Sequence, residues 1–424
     1  MIIWPSVKRL MPILCQPLLL SCLVVLGRAG AATADEEPKP AVFTVQTAGG
    51  ERVRGVWREL KPDWSVRLGE GDGTPVAGDE VLTVRRANAP LPPFPAEDHL
   101  LLANGDRLPY KSLRLVGEKY HLRHDYLQAG QEASLQLAAV SLLWRMAPER
   151  TLDAQRLRRR LGSETRTRDT VCLRNGDVVA GVLTGLDEKK VEMEVEKRRV
   201  TLNMPQVAYI ALNTELADSL RPRGVYARLV LAGTRRGLGT RVSLTSASID
   251  GVTLTGTTVF GARLSVPLAE VAALDLYQGR SVYLSDLKPS RYDYRPYLDA
   301  KWPFAADGNV AEHDLLLRGS TYDKGVGLHS HSRLTYRLAG GYRRFEALVG
   351  LDDKDGRRGS VRVRVLADGR PLDLGADREV TAESGPLPVG VNIDGVRELT
   401  LEVEFGRGGD VQDVVDWIDA RLVK

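Results

Sequence analysis

Cysteine is almost missing from this sequence. Of the three present, Cys15 and Cys22 lie near the N-terminus and only Cys172 lies in the body of the chain. A lone cysteine forms no intramolecular disulfide, so the body must be held by its own cores. Cys172 falls in the apolar run Thr170-Val171-Cys172-Leu173, which predicts a small buried hydrophobe rather than a reactive thiol. Histidine is also sparse, six in 424 residues, and that argues against a clustered metal-hydrolase centre. Gly-x-Ser-x-Gly, His-Glu-x-x-His and the P-loop are absent from the repeated region described below. Charge of one sign is lacking too: the formal net charge is +4, with basic and acidic residues interleaved, so no nucleic-acid polyanion is expected as a partner.

An apolar run does occur at the start, from Leu10 to Leu26, broken by Pro12, Gln16 and Pro17. Lys8 and Arg9 precede it and Ala32-Thr33-Ala34 follows. A short basic region, an apolar stretch and an A-x-A site read as an export signal over residues 1–34. The run is too short and interrupted for a membrane span. Removal of the signal leaves no transmembrane anchor and implies an exported protein, in the periplasm, at the cell surface or outside the cell. Leu19-Leu20-Ser21-Cys22 resembles a lipobox, so a lipoprotein anchored through Cys22 is the alternative.

Three segments share one plan. They begin Val42-Phe43-Thr44-Val45, His99-Leu100-Leu101-Leu102 and Thr170-Val171-Cys172-Leu173, and turn at Gly49-Gly50-Glu51, Asn104-Gly105-Asp106 and Asn175-Gly176-Asp177. Asn-Gly between apolar runs predicts hairpins with type I′ turns, which need positive φ at both central residues. A fourth, diverged segment runs over 224–278. Alternation is clearest at Val191, Met193 and Val195, as in a half-buried strand. Units of this size with four or five short strands resemble SH3-like or Sm-like barrels. The expected units are 41–87, 97–147, 169–214 and 224–278, serving as a spacer or a protein-interaction arm. The Pro-rich stretch 88–95 reads as an extended linker. Residues 148–168, with Arg156, Arg158, Arg159 and Arg160, read as a basic surface helix, or as a contact for an anionic envelope or polysaccharide.

From Ser281 the texture changes. Thr321-Tyr322-Asp323-Lys324-Gly325-Val326-Gly327-Leu328-His329, Val349-Gly350-Leu351-Asp352-Asp353 and Asp416-Trp417-Ile418-Asp419-Ala420-Arg421-Leu422 follow in order. Val361, Val363 and Val365 alternate with arginines, and Leu399, Leu401 and Val403 alternate with Thr400, Glu402 and Glu404, as in half-exposed strands of two packed sheets. This succession over 281–424 resembles the NPCBM family, the carbohydrate-binding module first noted beside family 98 glycoside hydrolases. The resemblance implies a galactose-binding-like jelly-roll β-sandwich, a shallow site for galactose-type sugars built on loops, and in some members calcium. The fold class expected for the whole chain is therefore mainly β: tandem small β-barrels followed by that sandwich.

Sugar binding needs aromatic faces against C–H patches, with polar groups around them for hydroxyls. The candidates are Trp302, His329, His331, Asp352, Asp353 and Trp417. Trp302, with Pro303 and Phe304, is the best exposed platform, whereas Trp417 also reads as core and Asp352 and Asp353 as turn caps. Asp307 and Asp355 are candidate oxygen ligands for calcium. The function read from the sequence is a non-catalytic, exported protein whose partner is a glycan or polysaccharide. The alternative is a structural protein of the cell envelope, with envelope protein partners and no sugar affinity.

Overall fold

A computed structural model describes residues 41–71, 73–233, 238–297, 299–374 and 379–424; the predicted signal 1–34 and its Cys22 lie outside them. Three tight turns set the local plan, but they are not type I′. In each, the glycine N–H bonds back three residues: Gly50 to Thr47 O, Gly105 to Leu102 O and Gly176 to Leu173 O, at 2.9–3.0 Å. Only the glycine takes positive φ, at +92°, +89° and +95°. Three loop residues, not two, therefore join the strands, with glycine in the left-handed position. The asparagine accepts from the backbone two residues on (Asp106 N at 2.9 Å, Asp177 N at 3.0 Å) and so fixes the turn without positive φ of its own.

Four groups of antiparallel strands follow one pairing order. The first strand of each lies between the second and the last: Val42–Thr47 pairs Arg52–Leu60 and Val81–Arg86, and Asp169–Leu173 pairs Val178–Leu186 and Val207–Ala211. His99–Leu102 pairs Arg107–Pro109 and Val140–Trp144, and Tyr226–Leu231 pairs Arg241–Asp250 and Val271–Tyr277. None of them closes as a barrel among the described residues. The last strand gives its second edge to another group instead: Val140–Trp144 pairs Val207–Ala211, and Val81–Arg86 pairs Val271–Tyr277. One hydrophobic core consequently runs through all four, from Phe43 and Trp57 through Leu100, Tyr120, Val171 and Val191 to Leu229 and Leu254. Cys172 is buried, as its apolar run requires.

The remainder, from Ser281, is a sandwich of two sheets. One is built on Val414–Val423, flanked by Gly325–His329 and Arg344–Leu351. The other is built on Glu398–Phe405, flanked by Ser332–Arg337 and Ser360–Ala367. Val361, Val363 and Val365 point into the shared core with Leu399, Leu401 and Trp417. The alternation read for the Glu398–Phe405 strand breaks, because Thr400 and Glu402 are buried as well. That strand is central in its sheet, and Arg333 and Arg364 reach across from both neighbours to clasp the Glu402 carboxylate.

The strand groups do not hold the sandwich at a distance, which corrects the spacer reading. Arg85 bridges Asp275 and Asp419, Tyr226 and Tyr277 pack on Tyr283, and Ala48 and Leu82 pack on Val423. The Pro-rich stretch is a buried strap. Leu91 and Phe94 are each 7% exposed, and Leu91 exchanges hydrogen bonds with Ser320 and Thr321. The helix Ala154–Ser163, capped by Asp153, turns Arg156, Arg158 and Arg159 onto the sandwich and leaves Arg160 exposed. Arg156 donates to Ala311 O, Arg159 to Ala306 O, and Arg158 pairs with Asp314.

Candidate functional site

Three of the six candidate residues gather at one place. The edge strand Arg291–Tyr294 alternates, so Tyr292 and Tyr294 share a face. The chain then leaves the sheet and returns with Trp302 over the end of Gly325–His329. Trp302 lies parallel to His329 with ring centroids 4.8 Å apart and planes 8° from each other. Tyr292 Oη donates to Trp302 O at 2.7 Å and fixes that return. Tyr294 meets His329 edge-on at 6.4 Å, and His331 meets Phe405 edge-on at 5.6 Å. Tyr297, 61% exposed, stands on the other side of Phe405. The result is an aromatic patch in which Trp302, Tyr294, His331 and Phe405 are half-buried and His329 lies buried, 2% exposed, against Trp302; the half-buried rings can stack on a sugar ring.

Polar groups suited to hydroxyls line the same patch. His329 Nδ1 is engaged by Ser330 O at 2.8 Å, which leaves Nε2 without a protein partner. Burial holds His329 below its ordinary pKa, so at neutral pH it presents an uncharged imidazole. Tyr294 Oη is shielded and makes no hydrogen bond, and burial raises its pKa to about 12, keeping a hydroxyl ready to donate. Beneath, Ser330 Oγ donates to Asp413, whose other oxygen accepts Ser360 N at 2.9 Å. Burial raises Asp413 to about 6. Tyr294, Tyr297 and Phe405 were missed in the sequence. A signal for the two tyrosines was present, since Tyr292, Tyr294, Tyr297, Trp302 and Phe304 crowd into one short stretch.

The other three candidates are placed elsewhere. Trp417 is 0% exposed and packs at 6.5 Å against Phe345, so it offers no face to a ligand. Asp352 is 1% exposed and caps its turn, accepting Lys354 N at 2.9 Å and Asp355 N at 2.8 Å. Asp353 accepts Gly319 N at 2.7 Å and pins a neighbouring hairpin. Behind Asp352 lies Asp416, fully buried, facing the Asp352 carboxyl, with the Leu316 N–H its one weak donor. Burial first, and then the adjacent Asp352, raise its pKa well above the carboxylate range.

The calcium candidates are each engaged by groups of the chain itself. Asp307 is taken by Lys324 Nζ at 2.9 Å. Asp355 is taken by His313 Nδ1 at 2.6 Å and Asn309 Nδ2 at 2.8 Å. Among the described residues no three His, Cys, Asp or Glu side chains converge as a cage. The glycines of the Lys-Gly-x-Gly-x-His element serve packing instead. A Cβ on Gly327 would lie 2.4 Å from Gly308 O, and one on Gly325 would lie 2.6 Å from Trp417 O.

Residues 280–423 match the NPCBM/NEW2 domain model. Over 121 residues the chain is 29% identical to a curated protein of Renibacterium salmoninarum named "Putative endo-alpha-N-acetylgalactosaminidase". The alignment spans 28% of this chain but only 8% of the relative's length. Among solved structures, the CBM51 module of a Clostridium perfringens GH95 protein, in complex with methyl-galactose, is 28% identical. It covers 34% of this chain and 99% of that one, with a TM-score of 0.30. The tandem CBM51 modules of a family 98 glycoside hydrolase from Streptococcus pneumoniae are 12% identical, covering 77% of this chain and 88% of that one, with a TM-score of 0.30.

Proposed function

We propose that this protein binds carbohydrate, of galactose type, through the patch of Trp302, His329, Tyr294 and His331, and that it is exported and has no catalysis of its own. The observation that carries the reading is the stacked Trp302–His329 pair beside an unpartnered Tyr294 hydroxyl, set in a region that matches a carbohydrate-module family. Stacking supplies affinity for a C–H face, and the uncharged donors around it orient hydroxyls. The non-catalytic reading is supported by the Asp352–Asp416 pair. Glycoside hydrolysis needs two carboxylates flanking the bond to be broken, and this pair lies sealed in the core. The four strand groups are a repeated unit whose shared role is to brace the module, and the signal 1–34 directs the whole outward.

A glycan array probed with the full-length protein, wild type and Trp302→Ala, tests the reading. Wild type should bind a subset of galactose-type glycans and the variant should lose at least tenfold in affinity, since a central aromatic anchor contributes about 2 kcal/mol or more. Silence of the wild type on every glycan would favour an envelope protein that retains the fold without sugar affinity.

A further inference from the structure

A second cleft lies where the strand groups, the helix Ala154–Ser163 and the module meet. It has a volume of about 450 Å³ and is lined by Arg107, Arg158, Arg159, Arg228 and Lys324, with Phe94 among the wall residues. Most of these cations are answered. Arg228 faces Asp106 at 3.3 Å, Arg158 faces Asp314 at 3.1 Å, and Lys324 faces Asp307 at 2.9 Å. Nearby Arg241 faces Asp323 at 3.2 Å. Arg159 donates to the carbonyls of Ala306 and Asp307.

Arg107 is the exception. Its guanidinium carbon sits 3.5 Å over the Phe94 ring, no acceptor reaches it, and its Nε is shielded from solvent. Arg241 shares the same ring at 4.6 Å, so a second positive charge is adjacent. Burial first, with Arg158 and Arg241, lowers the Arg107 pKa to about 9, against the opposing pull of the Asp314 and Asp323 carboxylates. Those carboxylates act from a distance, and a half-buried guanidinium that no acceptor bonds directly still costs free energy. Independently, Asn104 Nδ2 lines the same cleft and is buried without an acceptor. Arg107 and Asn104 therefore both line the cleft with donors that meet no acceptor, and oxygen atoms would satisfy them. At the mouth stand the exposed Ser163, Glu164 and Thr165.

We propose that this cleft binds an oxyanion (carboxylate, sulfate or phosphate), with Arg107 as its forked ligand and Asn104 as a second donor. The guanidinium plane matches two oxygens of such a group. The volume exceeds that of an inorganic anion and admits an acidic sugar unit. The two sources of the group, an acidic saccharide and a free anion, are separated by the test. This site shares no residue with the aromatic patch and stands or falls apart from it.

The experiment is calorimetric titration and thermal melting of the full-length protein at matched ionic strength, with phosphate, sulfate, acetate, glucuronate and neutral glucose against chloride. Wild type should show saturable binding of at least one oxyanion and a raised thermal midpoint, with no response to glucose. Arg107→Met should bind at least tenfold more weakly while melting no lower than wild type in chloride, because it removes a charge that no acceptor bonds directly. Arg107→Lys keeps the charge but loses the fork, and it should also bind at least tenfold more weakly. Trp302→Ala should bind the oxyanion as wild type does. Glucuronate bound more tightly than acetate, phosphate and sulfate identifies a saccharide; the inorganic ions bound as tightly or more tightly identify a free anion. Absence of any oxyanion effect beyond chloride, or equal binding by either Arg107 variant, would overturn the proposal.

Discussion

Replacing Asp416 with asparagine should stabilise this protein at neutral pH, the opposite sign to most core substitutions. The side chain is fully buried against Asp352, with only the weakly placed Leu316 N–H to favour its charge. Burial and the neighbouring Asp352 raise its pKa well above that of an ordinary carboxyl. The sign follows from linkage. A carboxyl whose folded pKa is raised contributes its stability fully below the unfolded value, about 3.9, and that contribution is lost as the pH climbs toward the folded value. While the folded chain keeps a proton that the unfolded chain has released, stability falls by about 1.4 kcal/mol per pH unit. Asparagine has no such proton and can turn its N–H toward Asp352. The difference between Asp416→Asn and wild type should therefore widen in the variant's favour from about pH 4 upward, by as much as that slope. Urea denaturation of both proteins across this range, followed by tryptophan fluorescence, measures it. A difference that is flat with pH, or a variant that weakens toward neutrality, would mean that Asp416 is ionised and partnered, and the reasoning would be wrong.

Arg85→Ala should lower stability by about 3 kcal/mol, because it leaves the buried Asp275 and the half-buried Asp419 facing each other without their shared cation; a loss under about 1 kcal/mol in the same denaturation assay would contradict this. Gly327→Ala should cost about 1–3 kcal/mol or more, since its Cβ meets the Gly308 carbonyl at 2.4 Å and backbone must move; thermal melting reads it. Asp153→Ala removes the helix cap and should cost about 1 kcal/mol. The Arg156 N–H, and after it His313, depress the Asp153 pKa. Its stabilisation is therefore present above the unfolded pKa and fades as the pH falls below it, so wild type and variant should converge in acid melts.

The sandwich was legible because its strands carry their partners' constraints in their own residues. Val361, Val363 and Val365 announce one buried face, and the glycines of Lys324-Gly325-Val326-Gly327 mark places where backbones nearly touch. Trp302 stood out in the sequence because a tryptophan in a loop has no obvious core to enter. Its neighbours were not, since Tyr294 and His329 lie on different strands and only pairing brings them together. Trp417 misled for the opposite reason: an aromatic beside carboxylates reads like a sugar site, yet the strand is central and its face is core. The arginines at 156–159 read as a solvated surface because local sequence says nothing of the carbonyls across the interface. The turns failed in a detail, because Asn-Gly specifies a tight reversal without fixing its length. Barrel closure failed because a strand's second edge can be claimed from far along the chain.

That claim has a consequence for synthesis. The pairings between groups are nested like brackets: second with third inside, first with fourth outside. Val84 emerges early but waits for Leu274 before its edge is covered. Until the fourth group exists, the early chain carries an open ladder edge holding Val81, Leu82 and Val84, the kind of surface to which a stray strand adds. Non-local pairing of this sort is slow to form. A nascent chain truncated before residue 271 should therefore be the form most prone to aggregate, and the outer bracket is the step at which a holding chaperone would matter.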